Sequence, residues 1–240
     1  MSLVHDMWIR MVARFPRTTT FVRSLSPAYR RHAREKHGLS TEAVFTRIYE
    51  ANEWKSDESR SGLGSTLAAT QTLRSQLPEL LKKLQATSML DAPCGDFNWM
   101  RTCDLPLRSY IGADIVAPLI DDLNRKYGSP TRSFMKLDVT TQPLPEADIF
   151  FCRDLLLHLS LEKIRAVLDN FARSRCKWLV VSTYLDVRAN APGFTGGVRL
   201  INLELPPFNL PKPRTYLSDP GETPFDRRMG VWSREEVQNT

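Results

Sequence analysis

An open α/β fold behind a helical N-terminal extension is predicted by three features of the chain. From Ser88 onward, short apolar strands alternate with amphipathic helices; acidic residues recur at the strand ends; and the part before residue 60 is helical in pattern and rich in arginine. Strands alternating with helices give a parallel sheet covered on both faces. At 240 residues the chain buries a real core without needing disulfide or metal staples.

Residues 3–15 place Leu3, Val4, Met7, Trp8, Met11, Val12 and Phe15 on one helical face, with Arg10 and Arg14 elsewhere on the wheel. Three readings of this basic helix stay open: packing on the body of the protein, an interfacial anchor on anionic lipid, or a transit segment. Residues 1–40 carry eight basic side chains against two acids, leaving 25 of the 33 bases and 25 of the 27 acids, which cancel. The basic character therefore belongs to the N-terminus. That argues against a nucleic-acid face on the main domain, because phosphate recognition needs clustered Lys and Arg. Asp6, Arg10 and Arg14 interrupt any secretory h-region. The four cysteines form no CxxC pair, so reduced thiols, a cytoplasmic location and no metal site are expected.

A helical stretch over Thr41–Trp54 leads into the turn Ser61-Gly62-Leu63-Gly64-Ser65. Leu73, Leu77, Leu80, Leu81 and Leu84 then recur at helical spacing, with Ser65 as the expected N-cap and Pro78 as the expected kink or break. The strands read Met89–Ala92, Tyr110–Val116, Phe134–Val139, Ile149–Cys152 and Trp178–Leu185. Between them, helices are expected over Phe97–Thr102, Pro118–Tyr127 and Leu161–Ser174, the last showing Leu161, Ile164, Leu168 and Phe171 on one face. After Leu185 Pro and Gly become frequent, and two short strands near Arg214–Leu217 and Met229–Trp232 fit a reversed hairpin closing the sheet.

In open α/β sheets ligands bind outside the carboxyl ends of the strands. The first strand ends Asp91-Ala92-Pro93-Cys94-Gly95, an acid followed by a tight turn of the kind that holds a cofactor. The second ends at Asp114-Ile115, 23 residues later, where a ribose diol is usually held; the third ends at Asp138-Val139, a further 24 residues on, where an acid can accept from an adenine amino group. The fourth ends at Cys152-Arg153-Asp154. Three acids at near-equal spacing on successive strand ends point to one ligand.

On these residues the chain resembles a class I S-adenosylmethionine (SAM)-dependent methyltransferase over residues 88–232. The words Ser61-Gly62-Leu63-Gly64-Ser65, Leu90-Asp91-Ala92-Pro93-Cys94-Gly95-Asp96-Phe97-Asn98-Trp99-Met100, Cys152-Arg153-Asp154, Asn202-Leu203 and Pro207-Phe208 resemble a bacterial branch associated with glycan or surface-polysaccharide biosynthesis. The resemblance implies a Rossmann-like seven-stranded sheet ending in an antiparallel strand, with residues 1–60 as the extension and 61–240 as the SAM-binding domain. It further implies Asp91, Ala92 and Gly95 on the methionine side of the cofactor, Asp114 with Ile115 at the ribose, and Asp138 with Val139 at the adenine. Trp99 covers the cofactor or packs the first helix. The turn ending at Ser65 receives the methionine carboxylate or serves as an ordinary linker. Pro93 and Phe97 stand at the first and third positions of the family's glycine-rich loop, leaving Gly95 alone.

On the acceptor side His158 is the only histidine outside the first 40 residues, with Asp154 four positions before it. If that turn is helical, the two form a dyad able to deprotonate a hydroxyl; otherwise His158 is a core residue. Arg153 pairs with Asp154 or binds an anionic acceptor. Tyr184, Arg199 and Asn202 form a candidate acceptor wall. No GxGxxG motif supports a nicotinamide enzyme, and no Asn-Pro-Pro-Tyr word follows the fourth strand, which disfavours base methylation. The expected function is O-methylation of a sugar or glycan hydroxyl, with peripheral membrane contact through residues 1–40. The alternatives are a methyltransferase for a small metabolite or lipid, and a catalytically inactive scaffold on the same fold.

Overall fold

The computed structural model describes residues 18–19, 25–221 and 225–240; the amphipathic face expected over 3–15 lies outside the described residues. Strands β1 (Ser88–Asp91), β2 (Ser109–Asp114), β3 (Arg132–Lys136), β4 (Ile149–Cys152), β5 (Trp178–Tyr184), β6 (Thr215–Ser218) and β7 (Arg227–Ser233) form one sheet in the order β3-β2-β1-β4-β5-β7-β6. The first five pair in parallel; β7 runs antiparallel to β5 and to β6. The expected reversed hairpin is therefore present. All four residues of β4 are buried, as a central strand covered on both faces requires. Edge strand β3 buries only Phe134.

Helices α1 (Pro27–Lys36), α2 (Thr41–Glu50), α3 (Gln71–Lys83), α4 (Ala117–Tyr127), α5 (Leu161–Arg173) and α6 (Arg234–Gln238) flank the sheet sequence. Their starts follow side-chain chemistry: Ser40 caps α2 through the amide of Ala43 and Ser160 caps α5 through that of Lys163, while Ser233 and Glu236 close a reciprocal capping box on α6. The buried face of α2 is Val44, Phe45 and Ile48. These residues join the hydrophobic core, and Phe45 also borders the cavity described below.

Three local expectations are corrected. Ser65 does not cap α3: it ends a 3-10 turn, Leu63–Ser65, and the helix starts after Thr70, whose hydroxyl donates to the Thr66 carbonyl at 2.8 Å. Pro78 neither splits nor ends α3. A helix-interior proline costs ~3 kcal/mol, but burying Leu73, Leu77, Leu80 and Leu81 returns about 1.5–3 kcal/mol each. The helix expected over Phe97–Thr102 is reduced to a 3-10 turn, Met100–Thr102. Phe97 adopts a left-handed φ of 60°, which breaks helical repetition, and its ring packs 5.3, 5.5 and 5.1 Å from those of Tyr110, Tyr127 and Phe134. The third family glycine position is thus filled by a core aromatic. No helix among the described residues is long and apolar enough to cross a membrane.

Candidate active site

The strand order reverses between β1 and β4, so their connections diverge and leave a crevice at the carboxyl edge. A cavity of about 570 Å³ occupies it, within the ~300–1,000 Å³ range of small-molecule sites. Asp91, Asp114 and Asp138, each following from a different strand, all border it, together with Ala92, Gly95, Ile115, Val139, Trp99 and Ser65.

Each acid is held differently. Asp91 is buried and accepts the Tyr110 hydroxyl at 2.5 Å; burial pushes its carboxyl up to about 7 despite that bond. Asp114 accepts the amides of Gly95 at 3.3 Å and Val116 at 3.1 Å, yet burial still lifts it to about 6. Asp138 is half-buried and accepts the amide and hydroxyl of Thr140 at 2.9 and 2.6 Å. Each carboxylate keeps lone pairs for further donors.

The loop between β1 and Met100 is clamped from outside. Asp96 accepts the Ser59 hydroxyl at 2.9 Å, the Arg60 amide at 2.7 Å and the Ser61 hydroxyl at 3.3 Å. Asn98 donates to Glu58 at 2.8 Å and to the Ser65 carbonyl at 3.1 Å. Residues 58–65 are thereby fastened over the loop. Gly95 has a φ of 52°, and a Cβ there would lie 2.1 Å from the Ser61 Oγ. Its glycine is demanded by both backbone and neighbour. The Leu63 and Gly64 amides open the 3-10 turn without intrahelical partners.

At the end of β4, Arg153 and Asp154 enter a four-membered buried network. Arg153 grips Asp219 through Nε at 2.8 Å and Nη2 at 3.1 Å, donates to the Gly64 carbonyl at 2.8 Å, and lies over the Trp99 ring at 5.5 Å. Arg227 donates to Asp219 at 3.1 Å and to Asp154 at 2.6 Å. Burial opposes the charge on Asp154, but Arg153 and Arg227 hold its carboxyl below the usual range. Arg153 pairs with Asp154 through Nη1 at 3.4 Å, as one of the two expectations had it, and with Asp219; it is therefore occupied rather than free for an anionic acceptor, and it ties β4 to the turn at the cavity mouth.

The helical turn needed for an Asp154–His158 dyad does not form. Asp154 has a φ of 55°, and a 3-10 turn, Leu156–His158, follows. His158 instead contacts the Gly197 carbonyl through Nδ1 at 2.9 Å and stacks on Trp54 at 5.2 Å. A carbonyl only accepts, so Nδ1 carries the proton and Nε2 keeps its lone pair. Burial holds the imidazole below its ordinary pKa, so it is neutral at pH 7.

His158, Arg153, Asp154 and Tyr184 all line the cavity. Arg199 and Asn202 do not; their places in the wall belong to Val198 and Leu200. The Asn202 side chain is spent on the backbone, contacting the Val187 carbonyl at 3.4 Å and the Glu204 amide at 3.0 Å. Sequence reasoning missed Phe45, Tyr49, Trp54 and Arg227 in the lining and Asp219 behind it. No cluster of three metal-ligating side chains forms among the described residues.

No protein-family model matches the chain, and no curated protein matches it. Solved structures do. Human N-acetylserotonin methyltransferase in complex with SAM aligns with a TM-score of 0.56 at 16% identity, over 82% of this chain and 61% of that one. PigF with S-adenosylhomocysteine (SAH) gives 0.55 at 17% identity, over 79% and 62%. The N-methyltransferase NodS from Bradyrhizobium japonicum WM9 gives 0.51 at 12% identity, over 71% and 98%. The chain spans about three fifths of the length of the first two. Sheet order and likeness together define the class: an open α/β chain with its cavity at the strand ends. More narrowly, the fold is that of the class I SAM-dependent methyltransferases.

Proposed function

We propose that this protein is a SAM-dependent methyltransferase acting on a hydroxyl of a sugar or glycan, with residues 61–240 as the cofactor domain and residues 41–60 completing one cavity wall. The observation that carries the proposal is the convergence of Asp91, Asp114 and Asp138 on one cavity. Three acceptor side chains on successive strand ends suit a ligand with an amino group, a ribose diol and an adenine along its length. Gly95 also borders this cavity, where the absence of a side chain lets Ser61 close on the loop. Bound SAM supplies a methyl group activated by its sulfonium sulfur; the chain's part is alignment and removal of the acceptor proton. His158, with Nε2 unprotonated, is the base of this reading, and Arg153 and Asp154 are positioning residues.

The test is transfer of labelled methyl from SAM to fractionated cell glycans, lipids and small metabolites. Label in the glycan fraction is expected; label confined to lipids or metabolites replaces the acceptor class. SAH binding without transfer to any fraction leaves the inactive-scaffold reading.

Asp91 also makes cofactor binding depend on pH. Its carboxyl titrates near 7 in the folded protein, and a cationic amino group favours the ionised form. Affinity for SAH is expected to fall about tenfold from pH 8 to pH 6, because a proton must first leave. In the ligand-free protein the same shift lowers stability as pH rises from about 4 to 7, where the unfolded chain releases the proton first. Calorimetry at both pH values checks the first effect; equal affinities would remove the assignment of Asp91 to the cofactor.

A further inference from the structure

The cavity has two chemically different sides. The sheet order places β1, β2 and β3 on one side of the crevice and β4, β5 and β7 on the other. Asp91, Asp114 and Asp138 belong to the first. On the second, the segments that follow β4 and β5 are fastened to each other: Gly196 N donates to His158 O at 2.7 Å, and Arg199 N donates to Leu157 O at 3.1 Å. They contribute Leu155, Leu157, Val198 and Leu200 to the lining. Phe225, just before β7, and Trp54, whose ring stacks on His158, add two aromatic rings.

The charged groups of this second side are spent on one another. Arg153, Arg227 and Asp154 are held in the network around Asp219, and the Tyr184 hydroxyl is engaged by Arg227. Arg60 also borders the cavity, but it is exposed and precedes the turn that would receive the cofactor's carboxylate. On the segments after β4 and β5, the polar side-chain capacity left among the described lining residues is Nε2 of His158 and the outer lone pairs of Asp154, whose side chain is 22% exposed. Two such groups address one hydroxyl and its neighbour. They do not address the many hydroxyls of an extended glycan, each of which would lose its water against this wall without a replacement partner. The apolar surface also continues outward. Of the five exposed large hydrophobic residues among the described ones, Leu63 at 56% and Val198 at 59% both border this cavity. Residues that are exposed and also line a cavity mark its opening.

Resting on the assignment of a sugar hydroxyl as the acceptor, we propose that this sugar is carried on an apolar aglycone, an alkyl or aryl group that lies along Leu157, Leu200 and Val198 and leaves the cavity past Val198. Covering these side chains supplies the binding that the sparse polar groups do not, and it leaves His158 and Asp154 to address the reacting hydroxyl.

Calorimetry on the SAH-saturated chain tests this with methyl, octyl and phenyl β-glucosides, which share one sugar and differ only in the aglycone. The octyl or the phenyl glucoside, kept below any micellar concentration, is expected to bind at least tenfold more tightly than the methyl one, a gain that about two buried methylene groups supply. Tighter binding of phenyl than of octyl identifies an aryl aglycone; the reverse order identifies an alkyl chain. Val198→Asp, at an exposed position, is expected to weaken the tighter glucoside at least fivefold while methyl glucoside and SAH stay within twofold. Leu200→Ala is expected to act in the same direction without adding a charge. Neither apolar glucoside binding more tightly than methyl glucoside, or a preference that both variants leave unchanged, would overturn the inference. A second arm divides the glycan fraction labelled from SAM by partition between water and butanol. Label is expected in the butanol, passing into water as a methylated sugar after acid hydrolysis. Label found in water from the start overturns this inference alone; label in sugar-free lipids overturns the sugar reading and this inference together.

Discussion

Asp219→Ala is expected to destabilise the fold by about 3–5 kcal/mol, the usual cost of removing one partner from a buried ion pair. The Asp219 side chain is fully buried, and its carboxylate accepts from both Arg153 and Arg227. Both arginine side chains are themselves 4% exposed. Truncation leaves two guanidiniums with only Asp154 between them, in a region water reaches poorly. The consequence extends beyond stability, because Arg153 also holds the Gly64 carbonyl at the cavity mouth. Urea unfolding read as a midpoint at unchanged slope gives the number. A loss below 1 kcal/mol would show that the network relaxes freely and does not fix the mouth.

The second large effect is on turnover. His158→Ala is expected to lower kcat by 10²- to 10⁴-fold, the usual worth of a positioned general base, while SAH affinity stays within about twofold. That pattern belongs to an interaction made mainly in the transition state. The imidazole is kept neutral by burial, and the Gly197 carbonyl selects the tautomer that leaves Nε2 free. A structural role predicts something different: loss of the stack on Trp54 lowers the unfolding midpoint and cofactor affinity together. His158→Gln, which keeps a donor toward Gly197 but no base, separates the two. It should fold like wild type and turn over as slowly as the alanine variant. Normal turnover in either variant would place the base elsewhere.

Much of the scaffold is legible in the sequence because it rests on local pattern. The run at Ile149–Cys152 is apolar throughout and that at Trp178–Leu185 is broken only by Ser182 and Thr183, so their place in mid-sheet follows from burial on both faces. The acids at 91, 114 and 138 are visible because each ends such a run at a regular interval. The rest depends on distant pairings that spacing does not encode. Asp219 stands in Ser218-Asp219-Pro220-Gly221, which reads as a turn; its partner Arg153 is 66 residues away. Phe45 and Tyr49 show the helical period, but nothing local says that their face closes a cavity built by strand ends. The dyad expected from the i,i+4 spacing of Asp154 and His158 fails because Asp154 takes a left-handed backbone, a choice set by Arg227 and Ser182 from other strands. Arg199 lies between the wall residues Val198 and Leu200 without itself bordering the cavity, which the sequence around it does not encode.

Titration of the full chain with SAH in a calorimeter tests the central claim most directly, with NAD as the comparison ligand. One site per chain is expected for SAH and no binding of NAD, and Asp114→Ala is expected to weaken SAH binding by about 1.5–3 kcal/mol, the worth of hydrogen bonds to a charged group. Absence of SAH binding by the folded wild-type chain, or binding that Asp114→Ala leaves unchanged, would contradict it.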